Sequence, residues 1–205
     1  LRNKLDISSP AKWGDEQIFS FARALRKFTK PVVIAANKID RPLGRENFER
    51  VKKEFDYPII PCFADGELAL READRAGLIE YIPGENDFVV KKGLSERQKV
   101  ALEKIREVLQ EYGNSGVQEV LNKVIFDVLQ YVAIFPAGDK LVDSYGRVLP
   151  DCYLMKSGST ALDFAFRLHS DIGKNFVKAI DVRTKKAVGK DYVLKHRDGL
   201  EIMMK

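Results

Sequence analysis

The sequence predicts an α/β fold with parallel strands in its first part, a helical segment in its middle and a small α+β unit at its end. Three observations predict this. Two short apolar runs, Pro31–Ala36 and Pro58–Cys62, flank a stretch of helical period. Two capped amphipathic patterns follow between about 95 and 129. Beyond about Ile134 short strand-like pieces return, separated by turns.

In order, a first helix is expected from about Asp15 to Phe28. Ile18, Phe21, Ala22, Leu25 and Phe28 fall on one face, and basic Arg26 and Lys27 suit its last turn. Pro31–Ala36 is short, continuous and rich in Val and Ile, as a parallel strand buried on both faces should be. Asn37–Arg45 is a loop, with Pro42 and Gly44 as breakers. A second helix over about Glu46–Phe55 turns Phe48, Val51 and Phe55 inward, and Pro58–Cys62 is a second buried strand. Strand, helix and strand in this order make a parallel βαβ unit. A third helix runs from about Glu67 to Gly77.

Ser95 with Gln98 is a capping box for a helix striped by Ala101, Leu102, Ile105, Val108, Leu109 and Tyr112, and Gly113 suits its C-terminus. Ser115 with Gln118 starts another, striped from Val117 to Leu129, and the two are expected to pair as a hairpin. Strand-like pieces follow at Lys140–Val142, Cys152–Met155, Phe176–Ile180 and Leu200–Met203, with a helix Ala161–Leu168 capped by Ser159 or Thr160. The expected divisions are residues 1–90, 91–133 and 134–205.

Composition excludes several classes. With 205 residues, 45% hydrophobic and 32% charged, the chain can bury a core and is neither disordered nor fibrous. No apolar run approaches the roughly 20 residues of a membrane span, and no signal-peptide pattern opens the chain. Two cysteines, Cys62 and Cys152, do not make a disulfide framework, so a cytoplasmic setting with inert core thiols is expected. The formal charge of +5 permits nucleic-acid contact without requiring it. His169 and His196 lack metal-ligand spacing, and no metal site is expected. His169 should cap or pack at the end of its helix.

One motif carries chemistry. Asn37-Lys38-Ile39-Asp40 stands where the first strand ends, and the carboxyl ends of strands are where open α/β sheets bind ligands. It matches the N-K-x-D pattern of guanine readers. Guanine presents an imino and an amino donor, and one carboxylate, Asp40, accepts both in a charge-assisted pair. Adenine presents the wrong pattern and would leave that carboxylate unpaired. The Lys38 stem can lie over the base, and Asn37, with donors and acceptors, can tie this loop to its neighbour. After the next strand comes Phe63-Ala64-Asp65. The motif resembles that of P-loop GTPases, in which a short Ser-Ala loop at this point meets the guanine oxygen through a backbone amide; Ala64 fits the alanine, and Phe63 stands in place of the small hydroxyl residue.

No G-x-x-x-x-G-K-[ST] phosphate loop occurs, and no D-x-x-G precedes the motif. With Leu1 in first place, the expectation is the C-terminal half of a longer protein whose hydrolytic half lies elsewhere. No catalytic residue is expected in this chain.

Glu67–Ala73 and Gly77–Gly84, with Trp13 and Lys30-Pro31, resemble the archaeal and eukaryotic branch of YchF-like GTPases, in the Obg-related group. Pro150–Thr160 and His169–Gly173 resemble a TGS domain, a ubiquitin-like β-grasp module shared with threonyl-tRNA synthetase and the stringent-response enzymes. The resemblance implies part of a Ras-like P-loop domain with a helical insertion, then a TGS module. It implies GTP and GDP as ligands, Mg2+ with the phosphate-binding half, and GTP hydrolysis by the whole protein. Some bacterial relatives carry an altered motif and prefer ATP; Asp40 implies GTP here. It also favours ribosome or RNA association. Residues from Pro136 onward hold thirteen Lys and Arg against nine Asp and Glu, and Arg183, Lys185, Lys186 and Lys190 gather around a turn that can meet phosphates or simply keep the hairpin soluble. The alternative at this stage is a non-enzymatic RNA-binding or adaptor protein with a remnant nucleotide fold.

Overall fold

The computed structural model describes residues 9–91, 93–138, 141–142, 145–148 and 151–205. The chain forms two compact units, one through Lys123 and one from Val124.

The first unit begins with α1 (Asp15–Thr29), where the sequence places it. Its apolar stripe is real but uncovered. No α1 residue is buried, and Ile18, Phe21, Leu25 and Phe28 are all exposed. Strand β1 (Ile34–Asn37) pairs in parallel with β2 (Ile59–Cys62), and α2 (Gly44–Glu54) crosses between them, which makes the expected βαβ unit. The expectation that β1 is buried on both faces does not hold. Ala35 and Asn37 are exposed, because β2 is the one strand that pairs with β1 among the described residues.

Helix α3 (Ala64–Arg75) starts three residues before the expected Glu67. Its first amide is held by a side chain 27 residues upstream, which local sequence does not announce. A two-residue hairpin of β3 (Ile79–Glu80) and β4 (Val89–Val90) follows. Helix α4 (Glu96–Tyr112) carries its capping box, with the Gln98 amide donating to Ser95 Oγ, and ends on left-handed Gly113. Leu102, Ile105 and Leu109 of its stripe meet Leu70, Ile79, Tyr81 and Phe88 in the core of this unit. Helix α5 (Val117–Asn122) contacts β1 and β2 and runs on as a π-helical turn, Lys123–Val128.

Among the described residues the second unit holds a five-stranded mixed sheet in the order β6-β5-β9-β7-β8. Strands β5 (Tyr131–Pro136) and β9 (Asp198–Met204) lie parallel at its centre. Strand β6 (Tyr153–Lys156) is antiparallel to β5, and β7 (Phe176–Asp181) is antiparallel to β9 and to β8 (Ala187–Val188). Helix α6 (Ala161–Leu168) packs Ala161 and Phe164 against Ile134, Met155, Ala179 and Leu200, the β-grasp arrangement. Thr160 caps α6 through the Asp163 amide. His169 ends α6 and accepts the Asp171 amide to start α7 (Ser170–Lys174). Lys140 and Pro150, which open the expected strand Lys140–Val142 and the run Pro150–Thr160, lie outside the described residues. Cys152 is exposed just before β6, a correction to the buried thiol expected there.

Candidate functional site

Register builds the site. The β1–β2 ladder pairs Asn37 with Cys62. It continues one step past the strands, where the Ile39 amide donates to the Cys62 carbonyl at 3.2 Å. The loops Lys38–Asp40 and Phe63–Ala64 therefore leave the sheet side by side. Buried Ile39 anchors the first loop from below.

Asn37 ties the two loops together. Its side-chain oxygen accepts the Lys38 amide at 2.8 Å and the Ala64 amide at 3.1 Å. Lys38 is left-handed, with φ 68°, an uncommon choice for a non-glycine residue that turns the loop sharply after the strand. The Arg41 amide returns to the Lys38 carbonyl, and the Gly44 amide to Arg41. At Gly44 a Cβ would lie 2.5 Å from the Lys38 oxygen and 2.8 Å from that of Ile39, so only glycine lets α2 begin this close to the loop. Asp40 stands at the loop's outer end, its carboxylate 3.4 Å from Arg41 Nε. The structure thus brings Asn37, Lys38, Asp40, Phe63 and Ala64 to one edge.

Phe63 resolves its own oddity. Its ring lies over Gly66, where an added Cβ would fall 2.4 Å from the ring, and it packs against the Leu70 core. The side chain faces the helix, while its amide donates to the Ser115 carbonyl at 2.8 Å. An aromatic group is therefore accommodated on the helix side of the loop.

Sequence reasoning missed the groups behind this loop. Glu67 is 3% exposed. Its carboxylate accepts Arg71 Nε at 2.6 Å, the Tyr81 hydroxyl at 2.8 Å and the Ser115 hydroxyl at 2.5 Å. Ser115 was expected to cap α5. Gly116 takes that position, and the Ser115 hydroxyl serves Glu67. The available signal was Glu67 itself, a carboxylate three residues before buried Leu70 on the inner face of α3. Burial acts to raise the Glu67 pKa. Hydrogen bonds from Ser115, Arg71 and Tyr81, with the Arg71 charge, outweigh it and hold the carboxyl below its ordinary value. Burial, then Glu67, push the Tyr81 hydroxyl up to about 12, so it stays a donor. Burial, with the Glu119 charge, pushes the Cys62 thiol up to about 11, an inert core thiol.

A stability prediction follows with a definite sign. A carboxyl whose folded pKa is depressed stabilises the fold above its ordinary value, near 4.5, and loses that contribution as pH falls through the folded value. Glu67→Gln should cost about 2 kcal/mol at neutral pH. Urea unfolding of both proteins should show the gap shrinking once the pH drops below the ordinary carboxylate value. A gap independent of pH contradicts an ionised Glu67.

In the second unit Arg183, Lys185 and Lys186 share the turn between β7 and β8, and Lys190 lies just beyond β8. Asp181 orders the turn by accepting the Arg183 and Thr184 amides. The Arg183 guanidinium also donates to the Arg197 carbonyl at 3.2 Å. All four basic residues are exposed.

Comparison with known proteins agrees with this architecture. Residues 35–139 match the model for "Obg-like GTPase YGR210-like, G4 motif-containing domain", and residues 131–204 match the TGS domain. An "Uncharacterized GTP-binding protein MJ1332" of Methanocaldococcus jannaschii is 43% identical over 95% of this chain and 50% of its own. An "Uncharacterized GTP-binding protein C428.15" of Schizosaccharomyces pombe is 30% identical over 78% of this chain and 42% of its own. The crystal structure of a GTP-binding protein from Pyrococcus horikoshii is 40% identical, with a TM-score of 0.66, over 96% of this chain and 52% of that one. The chain spans about half the length of the curated relatives it matches. With a parallel βαβ unit followed by a β-grasp sheet, it belongs to the YGR210-like group of Obg-like GTPases and carries a TGS domain.

Proposed function

We propose that this chain is the guanine-reading part of a GTP-hydrolysing protein. The observation that carries the reading is the β1–β2 register, which sets Asn37–Asp40 beside Phe63–Ala64. In it Asp40 accepts the two donors of guanine, the Ala64 N–H passes from Asn37 to the guanine oxygen as the base arrives, Lys38 lies along the base, and Asn37 sets the spacing of the loops beforehand. Arg41 gives up its contact with Asp40 when the base arrives. The residues fit the base and not the phosphates. Phosphate binding and hydrolysis are assigned to chain beyond these 205 residues, and the uncovered apolar face of α1 supports further chain packing here. Mg2+ belongs with those phosphate groups. Among the described residues no three His, Cys, Asp or Glu side chains gather to hold a metal ion. The three divisions 1–90, 91–133 and 134–205 stay a proposal about function; the chain packs as two units divided after Lys123, and the last boundary falls within β5.

The test is turnover by the intact protein. GTP should be hydrolysed in preference to ATP, and the 205-residue chain alone should hydrolyse neither. Equal turnover of GTP and ATP would sink the reading.

The proposed setting is the cytoplasm, in translation or on the ribosome. Among the described residues no helix is long and apolar enough to cross a membrane. Support for an RNA contact comes from the exposed basic turn at Arg183, Lys185, Lys186 and Lys190. Changing Arg183, Lys185 and Lys186 to alanine should weaken RNA binding and reduce its slope against log salt by about 2. An unchanged slope in a filter-binding titration assigns the turn to solubility instead.

A further inference from the structure

We propose that Glu67, Ser115 and Tyr81 form a positioning node that sets the guanine-facing amide of Ala64, so that the turn between α4 and α5 controls base affinity from outside the base pocket. The inference rests on the guanine reading above and deepens it. Its starting point is Ser115, which holds the base loop twice. Its carbonyl accepts the Phe63 amide at 2.8 Å, one residue before Ala64. Its hydroxyl donates to Glu67, one helical turn after Ala64. The N–H between these anchors donates to Asn37 Oδ1 in this structure and turns to the guanine oxygen when the base binds.

The next residue locks the turn against β2. Gly116 is left-handed, and a Cβ there would fall 1.9 Å from the Pro61 carbonyl oxygen and 2.9 Å from Cys62 Sγ. The turn from Gly113 to Gly116 is thus seated on residues 61–67, the strand end, the base loop and the first turn of α3.

A buried carboxylate is a costly way to fill space. An apolar side chain at position 67 would pack as well and ask for no partners. What a carboxylate adds is direction. Its donors come from three places, Arg71 on α3, Tyr81 just past β3 and Ser115 on the turn, and each has a defined distance and angle. Charged acceptors make the stronger hydrogen bonds, so the arrangement resists displacement. Moving the turn breaks Ser115 from Glu67 and from Phe63 together, and the Ala64 amide goes with them.

The test uses the intact protein and three nucleotides, GDP, 6-thio-GDP and IDP. The sulfur analogue puts a weaker acceptor opposite Ala64 and keeps both donors that meet Asp40. IDP lacks the amino group that meets Asp40. Ser115→Ala should lower GDP affinity about tenfold, the value of one well-placed hydrogen bond. The preference for GDP over 6-thio-GDP should collapse towards one, while the preference for GDP over IDP is kept. Tyr81→Phe removes one oxygen from the same node and should give a smaller loss with the same signature. It carries the test if Ser115→Ala does not fold. A purely structural role lowers all three nucleotides by one factor, and that result, or no change in either variant, overturns the proposal. Failure of the underlying reading shows separately, as wild-type protein that binds GDP no better than ADP.

Discussion

Asp40→Asn in the intact protein is expected to lower guanine-nucleotide affinity about 100-fold and to raise affinity for xanthine nucleotides. Asp40 is proposed to accept two hydrogen bonds from guanine, and bonds to a charged group are each worth about 1.5–3 kcal/mol. Asparagine replaces a doubly accepting carboxylate with one acceptor and one donor group. Xanthine carries a carbonyl where guanine carries its amino group, so the new amide donor suits it. The residue is exposed at the outer end of the loop, beside Arg41, so the substitution should leave the fold intact. Binding measured with GDP, XDP and ADP checks this. Loss of all three together would mean that the loop, and not the base contact, had been damaged.

Gly116→Ala should destabilise the first unit by about 3 kcal/mol, from a left-handed alanine plus an overlap with backbone that cannot move aside cheaply. The position has φ +79°, and the obstructing atom is the Pro61 carbonyl oxygen. Chemical denaturation measures the loss. Thiol labelling gives a local readout, because Cys62 lies against the same glycine and Cys152 is exposed. Wild-type protein should label at Cys152 alone, and Gly116→Ala at both cysteines. Unchanged stability and an unlabelled Cys62 would show that the turn does not press on β2.

How much of this could be read from the chain alone depended on range. The parallel βαβ unit was legible because Val32, Val33 and Ile34, then Ile59 and Ile60, sit in short β-branched runs either side of a helical period. Helix α4 was legible because Ser95 and Gln98 satisfy each other locally. The guanine motif was legible because its four residues are contiguous. Strand β5 was not marked as a strand, since an apolar helix runs almost straight into it and the break is Gln130, a left-handed residue with no glycine to announce it. The early start of α3 depends on Asn37, and the role of Ser115 on Glu67, 48 residues away. Those are tertiary facts, and a local cap signal at Ser115 pointed elsewhere. The apolar stripe of α1 was visible, but a stripe does not say whether anything covers it.

The same division marks the site. Asn37, Lys38 and Asp40 announce themselves by type and order. What sets them beside Phe63 and Ala64 is the pairing of Asn37 with Cys62, and the carboxylate packed behind that loop, Glu67, is one that no motif describes.

The central claim is that these two loops read guanine, and competition binding tests it most directly. With labelled GDP bound to the intact protein, unlabelled GDP should displace it at concentrations at least about 100-fold below those of ADP, the discrimination expected when a charged acceptor covered by the base is left unpaired by the wrong one. Displacement by ADP and GDP at similar concentrations would contradict the account.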